Sequence, residues 1–215
     1  MIRVLVATPI NEGKEDLFEE FTYNLFKLGK DFKYLLVDNS KDADFGGYAG
    51  AFDHYTHFYL PRAFDRIAMA RRIAKKVAVE MDYDYLLFID SDVFPERKEI
   101  DKLIDSKLDI VSAMCMTLDQ EGMPIPNAWI GGRPVDLRLN GIVEVDTVGF
   151  GCTLISKHAL ELSDFQVERK EGIVFTGEDF YFCKVAKNNG IRVFVNLDAS
   201  VRHKIGEDHW DYDVD

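Results

Sequence analysis

Leu86-Leu87-Phe88-Ile89, led in by Tyr85, is an apolar run with almost no polar interruption. It is far too short to span a membrane, which takes about 18 residues or more. It also lacks the alternation of a strand wetted on one face, so it suits the middle of a sheet covered on both sides. The clearest helix precedes it, over Ala63 to Met81. Ile67, Ala70, Ala74, Val77, Ala78 and Met81 share one face of that helix, Arg72 and Lys76 project the opposite way, and Arg66 and Arg71 sit at the margins. The rest of the first half keeps the same alternation. Arg3 to Thr8 reads as a buried strand stopped by Pro9 and Asn11, and Lys14 to Leu28 as a helix stopped at Gly29. Strand signals follow at Tyr34–Val37 and His57–Leu60, separated by a polar, glycine-rich loop over Asp42 to Gly50. A helix over Glu96–Ser106 and a strand over Ile110–Met114 complete the pattern. Such β-α-β-α-β alternation implies a doubly wound, mostly parallel α/β sheet.

The second half is more mixed. Asn127–Ile130, Ile142–Val145 and Cys152–Ser156 read as short strands between Gly- and Pro-containing turns. A helix over Glu178–Asn189 ends at Asn189-Gly190, and a last strand over Arg192–Asn196 precedes Val201-Arg202-His203. No repeat or linker divides the 215 residues, so one domain over 1–215 is expected: a ligand-binding half (1–115), a mixed half (116–206) and an acidic tail (207–215), the last solvated or frayed. Twenty-six basic against thirty-eight acidic residues give a net charge of −12. That balance argues against nucleic acid as a partner, and it means that an anionic substrate must meet local Arg or Lys, or a bound cation. Cys115, Cys152 and Cys183 are an odd number without metal-ligand spacing, which fits reduced thiols. With neither a signal peptide nor a transmembrane anchor legible, a cytoplasmic location is expected.

Chemistry concentrates at Asp90-Ser91-Asp92, directly after the central strand. Residues two apart in a strand point to one face, so both carboxylates can be presented together. They fall at the carboxyl end of a parallel strand, where open α/β sheets bind ligands, and two close carboxylates invite a divalent cation. The same residues also suit a simple turn after a strand. Thr176-Gly177-Glu178-Asp179 has a structural reading as a capping box, with Thr176 at the N-cap. Gly46-Gly47 lacks the spacing of a dinucleotide fingerprint.

The order of these pieces resembles that of the GT-A fold glycosyltransferases, particularly the family 2-like group, over nearly the whole chain. Val4 to Glu12 is similar to the family's opening strand and nucleotide-cradling loop, which assigns Thr8, Pro9 and Asn11 to the nucleotide. Leu36-Val37-Asp38-Asn39-Ser40 resembles its second strand, whose terminal Asp, here Asp38, contacts base or ribose. Asp90-Ser91-Asp92 matches the metal- and nucleotide-binding motif, and Val201-Arg202-His203 the late segment carrying a metal-binding His. Val145 to Ile155 is similar to the Gly-rich strand before the acceptor region, implicating Gly149; Trp129 lies where the family often contacts acceptor. Gly177-Glu178-Asp179 matches the Glu-Asp helix start, which makes Asp179 the expected base and Glu178 its alternate. Ala70-Arg71-Arg72 departs from the family's Ala-Arg-Asn, and no Gln-x-x-Arg-Trp follows the Glu-Asp pair, which argues against a processive synthase.

The resemblance implies transfer of a sugar from a nucleotide-diphosphate sugar, UDP-linked by preference, to a hydroxyl on a glycan, lipid-linked or small-molecule acceptor, with inversion. Such a transfer needs the diphosphate neutralised. Carboxylates alone would suit Mg²⁺, and adding the His203 imidazole tilts the site to Mn²⁺. Arg66 or Arg71, the latter preferred, could add positive charge near the diphosphate. Two alternatives remain at this stage: a nucleotide- or glycan-binding module without turnover, and a sugar-phosphate nucleotidyltransferase. The second should carry a Gly-rich loop with Arg and Lys after the first strand, and Thr8-Pro9-Ile10-Asn11 is not one.

Overall fold

The computed structural model describes residues 2–119, 121–205 and 210–211. In chain order the first half runs β1 (Val4–Ile10), α1 (Glu15–Lys27), β2 (Lys33–Asp38), a 3-10 turn (Gly46–Ala51), β3 (His54–His57), α2 (Ala63–Glu80), β4 (Tyr85–Ile89), β5 (Val93–Phe94), α3 (Arg97–Asp105) and β6 (Ile110–Met114). The second half begins with six short strands: β7 (Met116–Leu118), β8 (Pro124–Pro126), β9 (Ala128–Ile130), β10 (Arg133–Pro134), β11 (Ile142–Val145) and β12 (Thr147–Val148). It continues with β13 (Cys152–Ser156), α4 (Lys157–Leu162), β14 (Glu168–Lys170), β15 (Ile173–Thr176) and α5 (Glu178–Asn188). Then come β16 (Val193–Ser200), β17 (Arg202–Ile205) and β18 (Trp210–Asp211).

Eight strands form the main sheet in the order β11-β16-β6-β13-β4-β1-β2-β3. β1 runs parallel to both β2 and β4, β2 parallel to β3, and β16 parallel to β6. β13 lies antiparallel between β4 and β6, and β11 antiparallel on β16. The two halves of the chain therefore meet across β13. Alternate residues of the central strands feed different layers: Val4, Val6, Leu87 and Ile89 pack with Phe18, Phe21, Ile100 and Leu103 of α1 and α3. Leu5, Ala7, Leu86 and Phe88 pack with Ala70, Ala74 and Ala78 of α2 and with Phe182 of α5. Burial on both faces is what the unbroken apolar run of β4 demands.

Four details differ from the sequence expectation. β1 continues through Pro9 to Ile10 because its pairing with β4 ends at Ala7, so a residue without an N–H is tolerated beyond that point. The third strand lies at His54–His57, opposite Leu35–Asp38, rather than at His57–Leu60. Helix α4 and the β14–β15 hairpin were not anticipated. Thr176 ends β15 and Gly177 is the N-cap of α5, without a side-chain cap bond; the capping box belongs instead to Glu96 and Glu99 at α3. The three cysteines are free and buried. Among the described residues no helix is long and apolar enough to cross a membrane. The acidic tail lies outside the described residues except for Trp210–Asp211, whose backbone pairs with Lys204–Ile205.

Candidate functional site

Strand β4 ends at Ile89, and the next three residues form a turn, closed where the Val93 N–H donates to the Asp90 carbonyl at 2.9 Å. The period-2 rule therefore does not apply to Asp90 and Asp92, and their side chains take different partners. β5 follows at once and pairs antiparallel with β17, setting Val93 opposite His203 and Phe94 opposite Arg202. This two-residue ladder carries the late His to the turn after β4.

Asp92 faces the cations. Its Oδ2 lies 2.6 Å from Lys14 Nζ, and its Oδ1 3.5 Å from His203 Nε2. His203 Nδ1 lies 2.7 Å from the Met116 carbonyl oxygen, so Nδ1 is the donor there and Nε2 is turned toward Asp92. Burial works to raise the Asp92 carboxyl, but His203 and Lys14 override it and hold it at about 2. Burial works to lower the His203 imidazole, and its bonds to Asp92 and Cys115 override that in turn, pushing it up to about 11.

Asp90 faces the other way. Both its oxygens accept from Arg71, at 3.3 and 3.4 Å from Nη2, while Arg71 Nε donates to Glu178 Oε1 at 3.1 Å and Nη1 to the Phe150 carbonyl at 3.4 Å. The guanidinium lies over the rings of Phe88 and Phe150, 4.8 and 5.6 Å from their centroids. Expected at a helix margin, Arg71 is in fact buried, with its donors spent on two carboxylates and a carbonyl. Burial pushes the Asp90 carboxyl up against the pull of Arg71. Next in the chain to Glu178, Asp179 is half-buried and accepts from the Phe180 N–H at 2.7 Å. Burial and the neighbouring Glu178 charge push its carboxyl up to about 7.

At the ends of β1, β2 and β4 runs a cleft of about 160 Å³, lined by Pro9, Ile10, Asn11, Lys14, Asn39, Ala63, Ile67 and Asp90 to Asp92. Pro9, Asn11, Asp90, Ser91 and Asp92 thus meet in one place. Thr8 and Asp38 do not line it. Thr8 is fully enclosed, with its hydroxyl unpartnered. Asp38 is enclosed too: Oδ1 accepts from the Ser40 N–H and hydroxyl, Oδ2 from the Phe45 N–H and the Tyr55 hydroxyl. It organises the loop after β2, including cleft residue Asn39. Trp129 packs against Phe180, the chain neighbour of Asp179, with centroids 4.8 Å apart and ring planes tilted by 53°, and a Cβ at Gly149 would run into the Asn127 side chain. Gly149 therefore permits a close approach within the structure.

Lys14 and Asn39 were missed by the sequence reading. Charged residues near a helix start resemble any solvated face, and no spacing rule singles them out. As a metal site, Asp92 and His203 fit as a carboxylate–imidazole pair, with His203 oriented by Met116. Asp90 is turned to Arg71. Among the described residues no three His, Cys, Asp or Glu side chains gather closely enough to hold a metal unaided, so ligand oxygens would have to complete the coordination.

No family model and no curated protein sequence matches the chain. Among solved structures, A197 from STIV matches with a TM-score of 0.55 at 19% identity, over 96% of this chain and 87% of A197. The chain shares this fold. S. aureus TarS 1-349 matches with a TM-score of 0.59 at 18% identity, over 93% of this chain but only 59% of TarS 1-349. The same TarS fragment in complex with UDP-GlcNAc matches at 0.58 and 18%, over 93% and 57%.

Proposed function

We infer that the chain is a glycosyltransferase that moves a sugar from a nucleoside-diphosphate sugar, UDP-linked, to an acceptor hydroxyl. One observation carries this reading. Asp90 and Asp92 line a cleft at the carboxyl ends of β1, β2 and β4, and each ties it to a further group: Asp92 to His203, and Asp90 to Arg71, which also holds Glu178. The similarity to TarS, crystallised with UDP-GlcNAc and with UDP, supports it.

In this reading Pro9, Asn11 and Asn39 line the nucleoside pocket, and Asp38 acts on it through the loop it holds. Asp92 and His203 would hold a divalent cation, Mn²⁺ or Mg²⁺, whose contribution is Lewis-acid neutralisation of the departing diphosphate. Arg71 works from below: it fixes Asp90 and Glu178, so the turn after β4 and the start of α5 keep a constant separation. Asp179 takes the acceptor hydroxyl's proton as its oxygen attacks the anomeric carbon, with inversion. A carboxyl raised to about 7 is well matched to that task, because proton transfer is most effective from a group poised near the working pH. Trp129, held against Phe180 near that carboxylate, offers an aromatic face to a sugar acceptor.

The decisive experiment is a screen of nucleotide-sugars with Mn²⁺, scored by slow donor hydrolysis without acceptor. Release of UDP from one sugar donor, abolished by Asp92→Asn, is expected. Tight UDP binding with no hydrolysis of any donor would identify a binding module instead.

A further inference from the structure

Lys14 joins the two walls of the cleft. It stands on the β1–α1 connection, after Gly13 with its φ of +88°, and its ammonium crosses to Asp92 Oδ2 at 2.6 Å. The cleft it spans holds about 160 Å³, whereas ligand pockets commonly run to roughly 300–1,000 Å³. The Lys14–Asp92 contact narrows this cleft.

Helix α1 does not explain the lysine. Lys14 is the N-cap of α1, with no side-chain cap bond, and its side chain has no acceptor to offer the helix N–H groups. It also sets a cation at the positive end of the helix dipole, where an acidic or hydroxyl residue would be stabilising. A position that breaks the local rule for a cap, yet reaches a half-buried carboxylate across a cleft, is better explained by the site than by the helix.

We propose that Lys14 is a diphosphate-binding residue that Asp92 holds in reserve. While Asp92 keeps the ammonium, the cleft is narrowed. When Asp92 turns to a divalent cation, Lys14 is released to the diphosphate, so cation and nucleotide each favour the other. The inference rests on the reading of this cleft as a donor site.

Calorimetry on the whole chain tests it with two probes, Mn²⁺ alone and UDP with saturating Mn²⁺. Lys14→Met removes the ammonium that competes for Asp92, so Mn²⁺ alone should bind about tenfold more tightly, as expected when a nearby like charge is deleted. UDP with saturating Mn²⁺, where Asp92 has released Lys14, should bind about tenfold more weakly, since a charge-assisted contact to phosphate is gone. Lys14→Arg should restore the UDP affinity. Misfolding would weaken both probes, and a merely packing role would move neither. Unchanged UDP affinity in Lys14→Met, or weaker Mn²⁺ binding, overturns the proposal while leaving the donor-site reading intact. A wild-type chain that binds no UDP with or without Mn²⁺ overturns both.

Discussion

Asp90 and Asp92 stand two residues apart in one turn, and their surroundings pull them in opposite directions. Burial pushes the Asp90 carboxyl up despite its bonds to Arg71, whereas His203 and Lys14 hold Asp92 at about 2. One faces a fixed, buried guanidinium that also grips α5. The other faces an ammonium, which lines the cleft, and an imidazole. On the Asp90 side a buried guanidinium joins two carboxylates and a carbonyl, an arrangement suited to rigidity. The Asp92 side has cations that can exchange, and is built for binding.

The largest effect should come from breaking the rigid side. Arg71→Met leaves Asp90 and Glu178 close together without their shared counter-charge. Removing one partner from a buried ion pair typically costs about 3–5 kcal/mol, so denaturant unfolding should show a loss of that order. Adding Glu178→Gln should recover part of it, because one of the stranded charges is then removed. No loss in the single variant would mean that Arg71 is a replaceable filler.

Asp179→Asn tests the chemistry while sparing the frame. The amide oxygen can still accept the Phe180 N–H, but the basicity is gone. The transfer rate should fall by roughly 10²-fold or more, with donor and Mn²⁺ affinity unchanged. The wild-type rate should climb with pH through about 7, as the carboxylate forms, and the variant should lose that limb. Stability should move in the reverse sense. The folded value lies above the ordinary 3.8, so between 3.8 and about 7 the folded chain keeps a proton that the unfolded chain has released. Stability therefore falls as pH rises across that window, and Asp179→Asn should flatten the fall in thermal unfolding. A rate and pH profile identical to wild type would move the base to Glu178 or to a retaining mechanism.

Both sides of the turn were only partly legible in the sequence. The apolar run of β4 pointed to a sheet covered on both faces, and the Asp-Ser-Asp after it drew attention to the right edge of that sheet. The splitting of the two carboxylates was not legible, because it depends on where β4 stops and on β5, two residues long and without any periodicity to detect. The third strand shows the same limit: the sequence points to His57–Leu60, but the ladder to Leu35–Asp38 selects His54–His57. Its spacing puts Arg71 at a helix margin. Its burial depends on Asp90 and Glu178, which only the folded chain brings to it.

On the exchangeable side the effects should be smaller. His203→Ala removes the Nε2 facing Asp92 and the link to the Met116 carbonyl, while β17 can still pair with β5 through its backbone. UDP affinity in Mn²⁺ should fall by about tenfold or more, with UDP in EDTA little changed, the scale seen when the groups that hold or orient a metal ligand are lost. Equal loss with and without Mn²⁺ would show that His203 only supports the turn.

The smallest effect belongs to a residue on neither side. Thr8 lies in β1, opposite Leu36 of β2, fully enclosed and with its hydroxyl unpartnered. If that hydroxyl reached the nucleotide, removing it would weaken UDP binding. The enclosure argues against this, because a ligand group would have to part the strand ends to reach it. An unpartnered buried hydroxyl costs free energy in the folded state, and a shape-matched methyl does not. Thr8→Val keeps the β-branched shape that suits a strand, so it should leave UDP affinity unchanged and raise stability by up to about 1 kcal/mol. Denaturant unfolding and UDP calorimetry on the same variant decide the matter. A clear loss of UDP affinity with stability intact would mean that the end of β1 opens when nucleotide binds, and would extend the exchangeable side into the sheet itself.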